Sequence, residues 1–380
     1  MFPAEFWGKP LAINSGQSPG RERKGGTCLI TGGAGFIGCA ISPQIARAFD
    51  RVIAVDNLHP QIHAEPIRPP ALDDGVALVV ADVTLQETWD RILGDARPDV
   101  VIHLAAETGT GQSLTEATRH AEVNVVGTTR MLDAFVALKR MPRRVVLTSS
   151  RAVYGEGAWI DAKTGAVSYP GQRSKAQLER GAWDFPGLQC LPFDAAVTTP
   201  NPTSVYGATK LAQEHILKSW ALSFDVEIGL LRLQNVYGPG QSLSNPYTGI
   251  VSLFARLARE GKSIPVYEDG EIVRDFVFID DVAEAVRIAA CEPLPSHAAY
   301  DIGSGEATTI HHLAKVIAGI YGAPAPHING AVRNGDVRHA SCDISRATAE
   351  LNWKPHWSVE AGVAALCRWI DGRLEHIATR

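Results

Sequence analysis

Thr27-Cys28-Leu29-Ile30-Thr31-Gly32-Gly33-Ala34-Gly35-Phe36-Ile37-Gly38 reads as a buried strand, a glycine turn and the opening of a helix. The first five residues form a continuous apolar run of the kind a strand covered on both faces requires. Gly32 permits the tight turn. Gly35 lets backbone amides approach a pyrophosphate with no Cβ in the way, and Gly38 lets the helix lie close to the sheet. The helix N-terminus adds favourable partial charge for an anion. Phe36 and Ile37, in the first helical turn, stand beside the same ligand site.

Outward from this unit the pattern repeats. VIAVD (52–56), VALVVAD (76–82), VVIHL (100–104) and VVLTS (145–149) read as further buried strands, with helical patterns between them of which 116–139 is the clearest. Strand–helix alternation predicts a parallel sheet with right-handed crossovers, a Rossmann-type doubly wound α/β fold. Asp56, 18 residues past Gly38, ends the second strand beside Asn57 and is placed to bind both hydroxyls of an adenosine ribose. A carboxylate there repels a 2′-phosphate, so NAD is expected rather than NADP. Asp82-Val83 closes the third strand, either as a ligand for the adenine amine or as a strand-end cap.

Residues 155–203 are dense in Gly, Pro and Trp without a sustained period, as in a lid, a binding loop or an inserted subdomain. A helix (206–224) and a strand (228–233) follow. Beyond Tyr237, short segments and helices near 248–260, 281–290 and 359–374 predict a smaller, mostly C-terminal α/β substrate domain. The expected division is therefore a loosely ordered extension (1–26), a dinucleotide domain (27–236) and a substrate domain (237–380). Segment 276–290 is a candidate to return to the dinucleotide domain.

Composition narrows the function classes. Of 380 residues, 45% are hydrophobic and 20% charged, as in ordinary soluble globular chains of about two domains. A net charge of −5 with no basic run disfavours nucleic acid as a partner. No apolar stretch approaches the roughly 20 residues of a membrane helix. Six scattered cysteines without a C-x-x-C pair suit a reducing cytoplasm and give no metal-binding signal.

Tyr206-Gly207-Ala208-Thr209-Lys210 opens the 206–224 helix, so the phenol and the amine share one face. A phenol is a poor base at neutral pH unless a nearby cation stabilises its anion. Lys210 is placed to do this and also to bond a nicotinamide ribose. Ser150, at the end of the fifth strand, bridges phenol and substrate hydroxyl. The set predicts removal of an alcohol proton as the carbon gives hydride to NAD.

With these pieces in place, the chain resembles the extended short-chain dehydrogenase/reductases, in their nucleotide-sugar epimerase and dehydratase group. TGGAGFIG (31–38), Asp56, HLAAE (103–107), NVVGT (124–128), SSRAVYG (149–155), YGATK (206–210), LRLQNVYGPGQ (231–241) and RDFVFIDDVA (274–283) run in family order. The resemblance implies Tyr206 as base, Lys210 as its partner and Ser150 as the hydroxyl-positioning residue. It implies that Asn124 and the Leu104-Ala105-Ala106 backbone line the cofactor, and that Asn235, Arg274 and the Arg333/Asp336/Arg338 region hold a nucleotide diphosphate. Arg suits that task through its planar fork, although surface ion pairs remain the alternative for each. Arg151 is placed with the substrate residues. Glu107 either bonds a sugar hydroxyl or caps a loop, and Tyr267 either sits beside the base or packs in the core.

Sugar 4,6-dehydratases of this group carry an Asp-Glu pair where this chain has Arg151-Ala152. Without those carboxylates the economical reaction is 4-epimerisation through a 4-keto sugar. Segments 105–113, 151–157 and 231–250 look most like 4-epimerases of a dTDP-linked deoxy sugar. A UDP-hexose 4-epimerase, a nucleotide-sugar reductase or dehydrogenase, and a non-catalytic NAD-binding regulator are the alternatives. The helices at 116–139 and 206–224 resemble a family dimer interface, implying a homodimer, although Val125, Met131, Leu132 and Phe135 equally suit packing on the chain's own sheet.

Overall fold

The computed structural model describes residues 25–243, 249–295, 297–333 and 335–378. Residues 1–24 of the expected extension, and 244–248 of the segment resembling the deoxy-sugar epimerases, lie outside the described residues.

Seven strands make one sheet: β1 (Thr27–Thr31), β2 (Arg51–Asp56), β3 (Val76–Val80), β4 (Val100–His103), β5 (Arg144–Ser150), β6 (Glu227–Leu233) and β7 (Ala299–Ile302). Their order is β3-β2-β1-β4-β5-β6-β7, and every pairing is parallel. The winding direction reverses between β1 and β4, and a crevice opens there at the carboxyl ends of the strands.

Alternation along each strand feeds two cores. Cys28 and Ile30 face one layer, built on α1 (Phe36–Ala48) and α5 (Ile279–Cys291). Leu29 faces the other, built on α2 (Gln86–Asp95), α3 (Gly127–Ala137) and α4 (Val205–Phe224). The alanines of α5 (Ala283, Ala285, Ala289 and Ala290) let it lie close under the sheet beside α1. Met131, Leu132 and Phe135 of α3 are buried in the chain's own second core, which answers the alternative left open for them.

The predicted helix over 116–139 is interrupted. Ala117–Ala121 passes through a π-helical turn, Glu122–Val126, before α3 begins. Such wide turns are rare and cluster at functional sites; this one carries Asn124 fully buried.

The sheet also runs one strand further than expected. Ala299–Ile302 pairs with β6, and its Tyr300 and Ile302 join the first core. The chain after Tyr237 thus contributes α5 and β7 to the large sheet layer. Tyr237, Phe254, Leu313 and Val363 belong to a separate third core.

Residues 155–203 form a small subdomain. Trp159–Asp161 pairs antiparallel with Val167–Ser168 and with Leu188–Cys190. Phe193 stacks on Tyr154 at 4.5 Å, and both pack with Val337, Ala340 and Cys342. The subdomain is therefore clamped to the C-terminal segment by shared apolar burial. No helix among the described residues is long and apolar enough to cross a membrane.

Candidate active site

The glycine turn is tight enough to explain its composition. Gly32 has φ +68°, and a Cβ there would lie 2.7 Å from the Ala105 nitrogen. The loop after β4 presses on this turn, with Leu104 donating to the Thr31 carbonyl at 3.0 Å and Ala105 to the Thr31 hydroxyl at 3.2 Å. A Cβ on Gly38 would meet the Gly33 carbonyl oxygen at 2.4 Å, so glycine lets α1 approach the turn. Gly35 caps α1, with no side chain satisfying the helix's first amides and no acid in the first turn. Those donors suit a diphosphate. Phe36 and Ile37 face the third core, where Phe36 lies under Gly240.

Asp56 accepts from the Ala34 amide at 3.0 Å and from the Leu58 amide at 2.9 Å, with His63 at 3.7 Å. A carboxylate offers about four acceptor positions, so two remain for ribose hydroxyls. Asp82 behaves as the cap that was its alternative reading: it accepts from the Thr84 amide and hydroxyl, while Asn57 reaches it at 3.5 Å. Val83 is buried against Gly127, and its carbonyl accepts from Trp89.

Asn124 is saturated. It accepts from the Glu107 amide at 2.8 Å and donates to the Glu107 carbonyl at 3.0 Å and to the Thr209 hydroxyl at 2.9 Å. It therefore braces the post-β4 loop against α4. The Glu107 carboxylate pairs with Arg119 at 2.8 Å. Arg119 also donates to Gln61, which exchanges hydrogen bonds with Gln112 at 3.0 and 3.1 Å. Because β2 and β4 flank β1, this link joins the loops on either side of the strand that leads into the glycine turn. None of Gln61, Gln112 or Arg119 stood out in the sequence.

Tyr206 is the second residue of α4, whose first turn is capped by Ser204. A Cβ on Gly207 would lie 2.3 Å from the Ala152 carbonyl oxygen. Glycine here lets α4 touch the turn Arg151–Tyr154, bringing the phenol to Ser150 and Arg151. Ser150 accepts from the Ala152 amide at 3.1 Å and hydrogen-bonds the Tyr206 phenol. Burial pushes the phenol above its ordinary value, while the Ser150 bond and the Arg151 charge pull it back. Arg151 thus adds its charge to the phenol from the turn, beside the Lys210 that the sequence pointed to. His120, fully buried, stands edge-on to the Tyr206 ring at 6.5 Å.

The Lys210 ammonium is buried and makes no hydrogen bond with the described residues. Burial lowers it to about 7, against the opposing pull of Glu214. Neighbouring His103 is held neutral at about 3 by burial and by Lys210, and bonds Thr31 and Thr128. An unpartnered buried donor at the mouth of a dinucleotide crevice fits a ribose hydroxyl. Together with the bare helix N-terminus and the two open acceptor positions of Asp56, it makes the crevice fit NAD.

Arg151 donates to Asn235 at 2.7 Å and is lowered to about 9 by burial and the like charge of Arg274; Asp336, Tyr206 and Asp275 oppose the shift. Arg274 is buried and pairs with Asp336. Two guanidinium groups that repel each other, Arg274 buried and Arg151 partly so, suit an anionic substrate group.

Arg338 does not join them. Its guanidinium donates to Asp184, Glu268 and Asp269, while its backbone amide reaches Glu156. These carboxylates raise its pKa further, and its donors are committed to structure. Arg173 of the 155–203 subdomain joins the same cluster through Glu156 and Glu268. Arg333 is exposed, with no ion pair among the described residues. The Tyr267 side chain is exposed too, so it is not packed in the core. Among the described residues no group of His, Cys, Asp and Glu is arranged for a metal.

This combination of a doubly wound sheet, a dinucleotide crevice and a Ser–Tyr–Lys site belongs to a known class. The chain is a member of the NAD dependent epimerase/dehydratase family, whose model matches residues 28–180 and 186–303. It is 59% identical to the dTDP-L-rhamnose 4-epimerase of Burkholderia thailandensis over 91% of this chain and 95% of that protein. Among solved structures it resembles UDP-glucose 4-epimerase of Thermotoga maritima with UDP-glucose (TM-score 0.75, 27% identity, 92% and 99% of the chains covered). It also resembles the Thermus thermophilus UDP-glucose 4-epimerase complex with NAD (TM-score 0.71, 28% identity, 91% and 99% covered). The expected family, fold and NAD cofactor are all borne out.

Proposed function

We propose that this chain is a 4-epimerase that interconverts dTDP-L-rhamnose and dTDP-6-deoxy-L-talose. The observation that carries this reading is 59% identity to a dTDP-L-rhamnose 4-epimerase across 91% of the chain. Dehydratases of the same family lie at 26–28% identity, and the Asp-Glu pair they use is replaced here by Arg151-Ala152.

Tyr206 removes the C4 hydroxyl proton while Ser150 holds that oxygen in line. NAD, held by the glycine turn, Asp56 and Lys210, would supply reversible hydride exchange at C4. Lys210 completes its bonds on the cofactor ribose and adds positive charge near the phenolate. The 4-keto sugar turns within the pocket, and Tyr206 returns the proton to the oxygen once the opposite face has been reduced. Atoms and electrons balance without an external reductant. Rotation needs the sugar held loosely and the diphosphate held firmly. Arg151, Arg274 and Asn235 supply the firm end, with exposed Arg333 at its rim.

Residues 27–236 with α5 and β7 serve the cofactor, and the remaining C-terminal part serves the nucleotide. The chain works as a homodimer, for which α4 and the helix before it leave Leu222, Phe224, Val126 and Val136 exposed. A sedimentation mass of one chain would overturn the dimer. Its six free thiols suit the cytoplasm.

The test is an NMR assay of purified protein with dTDP-L-rhamnose, UDP-glucose and UDP-galactose in parallel, without added reductant. Formation of the C4 epimer from the dTDP sugar supports the reading. Conversion of UDP sugars alone keeps the mechanism and discards the substrate. No conversion favours a reductase or a binding protein.

A further inference from the structure

Glu214 lies two turns beyond Tyr206 and one beyond Lys210, on the same face of α4, and is 1% exposed. One carboxylate oxygen accepts from the Ser149 hydroxyl and from Arg232 Nε at 3.0 Å; the other accepts from Arg232 at 2.7 Å. Ser149 and Arg232 are register partners on β5 and β6. Arg232 also donates to the Tyr154 phenol at 2.9 Å, and that phenol donates to Asp301 of β7. One carboxylate thus ties α4 to three adjacent strands, at the residue immediately before Ser150.

The charged or titratable groups around it are few. Lys210 and Lys218 flank Glu214 on α4, Arg232 faces it from β6, and Tyr154 and Asp301 lie one step further. Lys210 itself is faced by Glu214 from its own helix and by neutral His103 from β4. The charge of Glu214 favours the buried ammonium.

We propose that Glu214 is a positioning residue for the reaction: its carboxylate keeps Lys210 charged and locks the Ser149-Ser150 end of β5 against the helix that carries Tyr206. An ion pair with Arg232 alone would need no particular place. This one sits a single turn from an ammonium that burial would otherwise neutralise, where a full charge acts through a low-dielectric interior. The geometry stands by itself, whereas its consequence for turnover rests on the epimerase reading.

The experiment follows the Lys210 amine by NMR in NAD-loaded, lysine-labelled full-length protein, with the signal assigned through Lys210→Arg. In wild type the amine is expected to titrate well below its ordinary value because it is buried. In Glu214→Gln, which keeps shape and hydrogen bonding, the titration is expected to fall by about one pH unit or more. The epimerisation profile should then lose its high-pH side by the same amount, with kcat down about tenfold above pH 8 and KM little changed. Ser149→Ala, which leaves the charge in place, should not move the titration. Should Glu214→Gln fail to fold, Glu214→Asp, which draws the charge back by one methylene, must shift it in the same direction. An unmoved Lys210 titration, or a rate loss equal at every pH, overturns the proposal. A shifted titration in a protein that turns over no sugar nucleotide sustains Glu214's role and removes the epimerase reading instead.

Discussion

At Gly207 a single missing Cβ sets the geometry of the reaction. The helix that carries Tyr206 touches the turn after β5 so closely that a Cβ would meet the Ala152 carbonyl oxygen at 2.3 Å. Gly207→Ala must therefore push α4 outward, with an expected cost of about 1–3 kcal/mol and a drop in kcat at intact NAD content. Unchanged urea midpoint and rate would show the contact to be relaxed. Tyr206→Phe removes the proton acceptor but keeps the ring beside His120. Its kcat should fall by a factor of about a thousand, with melting temperature and bound NAD unchanged. Sequence pointed to Tyr206 and Lys210 because they lie four apart on one helix, and to Ser150 because it ends a buried apolar run. It did not show that Arg151 also acts on the phenol, since that depends on how α4 meets the turn. Nor did it show that Arg338, expected on the diphosphate, is paired with acids at 184, 268 and 269, distant from it along the chain.

At the scale of elements, the loops after β2 and β4 are joined by Gln61, Gln112 and Arg119. An epimerase that returns its own hydride has reason to retain cofactor between turnovers, and this bridge joins the loops of the two strands that flank β1. Gln112→Ala should release NAD several-fold faster on dilution and gel filtration; equal release would leave the bridge without that role. The 155–203 subdomain is anchored by Arg173, buried among Glu156 and Glu268. Arg173→Met leaves Glu156 without an ion-pair partner among the described residues and Glu268 with Arg338 alone, and unfolding by urea should show a loss of about 3–5 kcal/mol. The strands of the first half were legible because each is a continuous apolar run. β7 was not, since AYDI carries a buried aspartate held by a bond from the Tyr154 phenol and favoured by the charge of Arg232, both far away in sequence. Nor was the π-helical turn, whose single widened turn leaves the helical period almost unaltered.

Across the whole molecule, buried polar groups tie the strand edges to the C-terminal segment and give stability a pH signature. Burial raises Asp301 from 3.8 to about 7. Its folded pKa exceeds its unfolded one, so between about pH 4 and 7 the folded chain binds more protons than the unfolded chain. The stability contributed by this group is present below that window and is lost as pH rises through 7. Asp301→Asn should flatten the fall of unfolding free energy across the window, and an unaltered slope would contradict the assignment.

The central claim is transient oxidation at C4 with return of the same hydride to the opposite face. It is tested most directly with dTDP-L-rhamnose deuterated at C4, incubated with the NAD-loaded protein in ordinary water and followed by NMR and mass spectrometry. Formation of dTDP-6-deoxy-L-talose that keeps its deuterium at C4, with no solvent hydrogen entering the ring, is the predicted result. Loss of the deuterium to solvent, or no epimer while NADH accumulates, would contradict it.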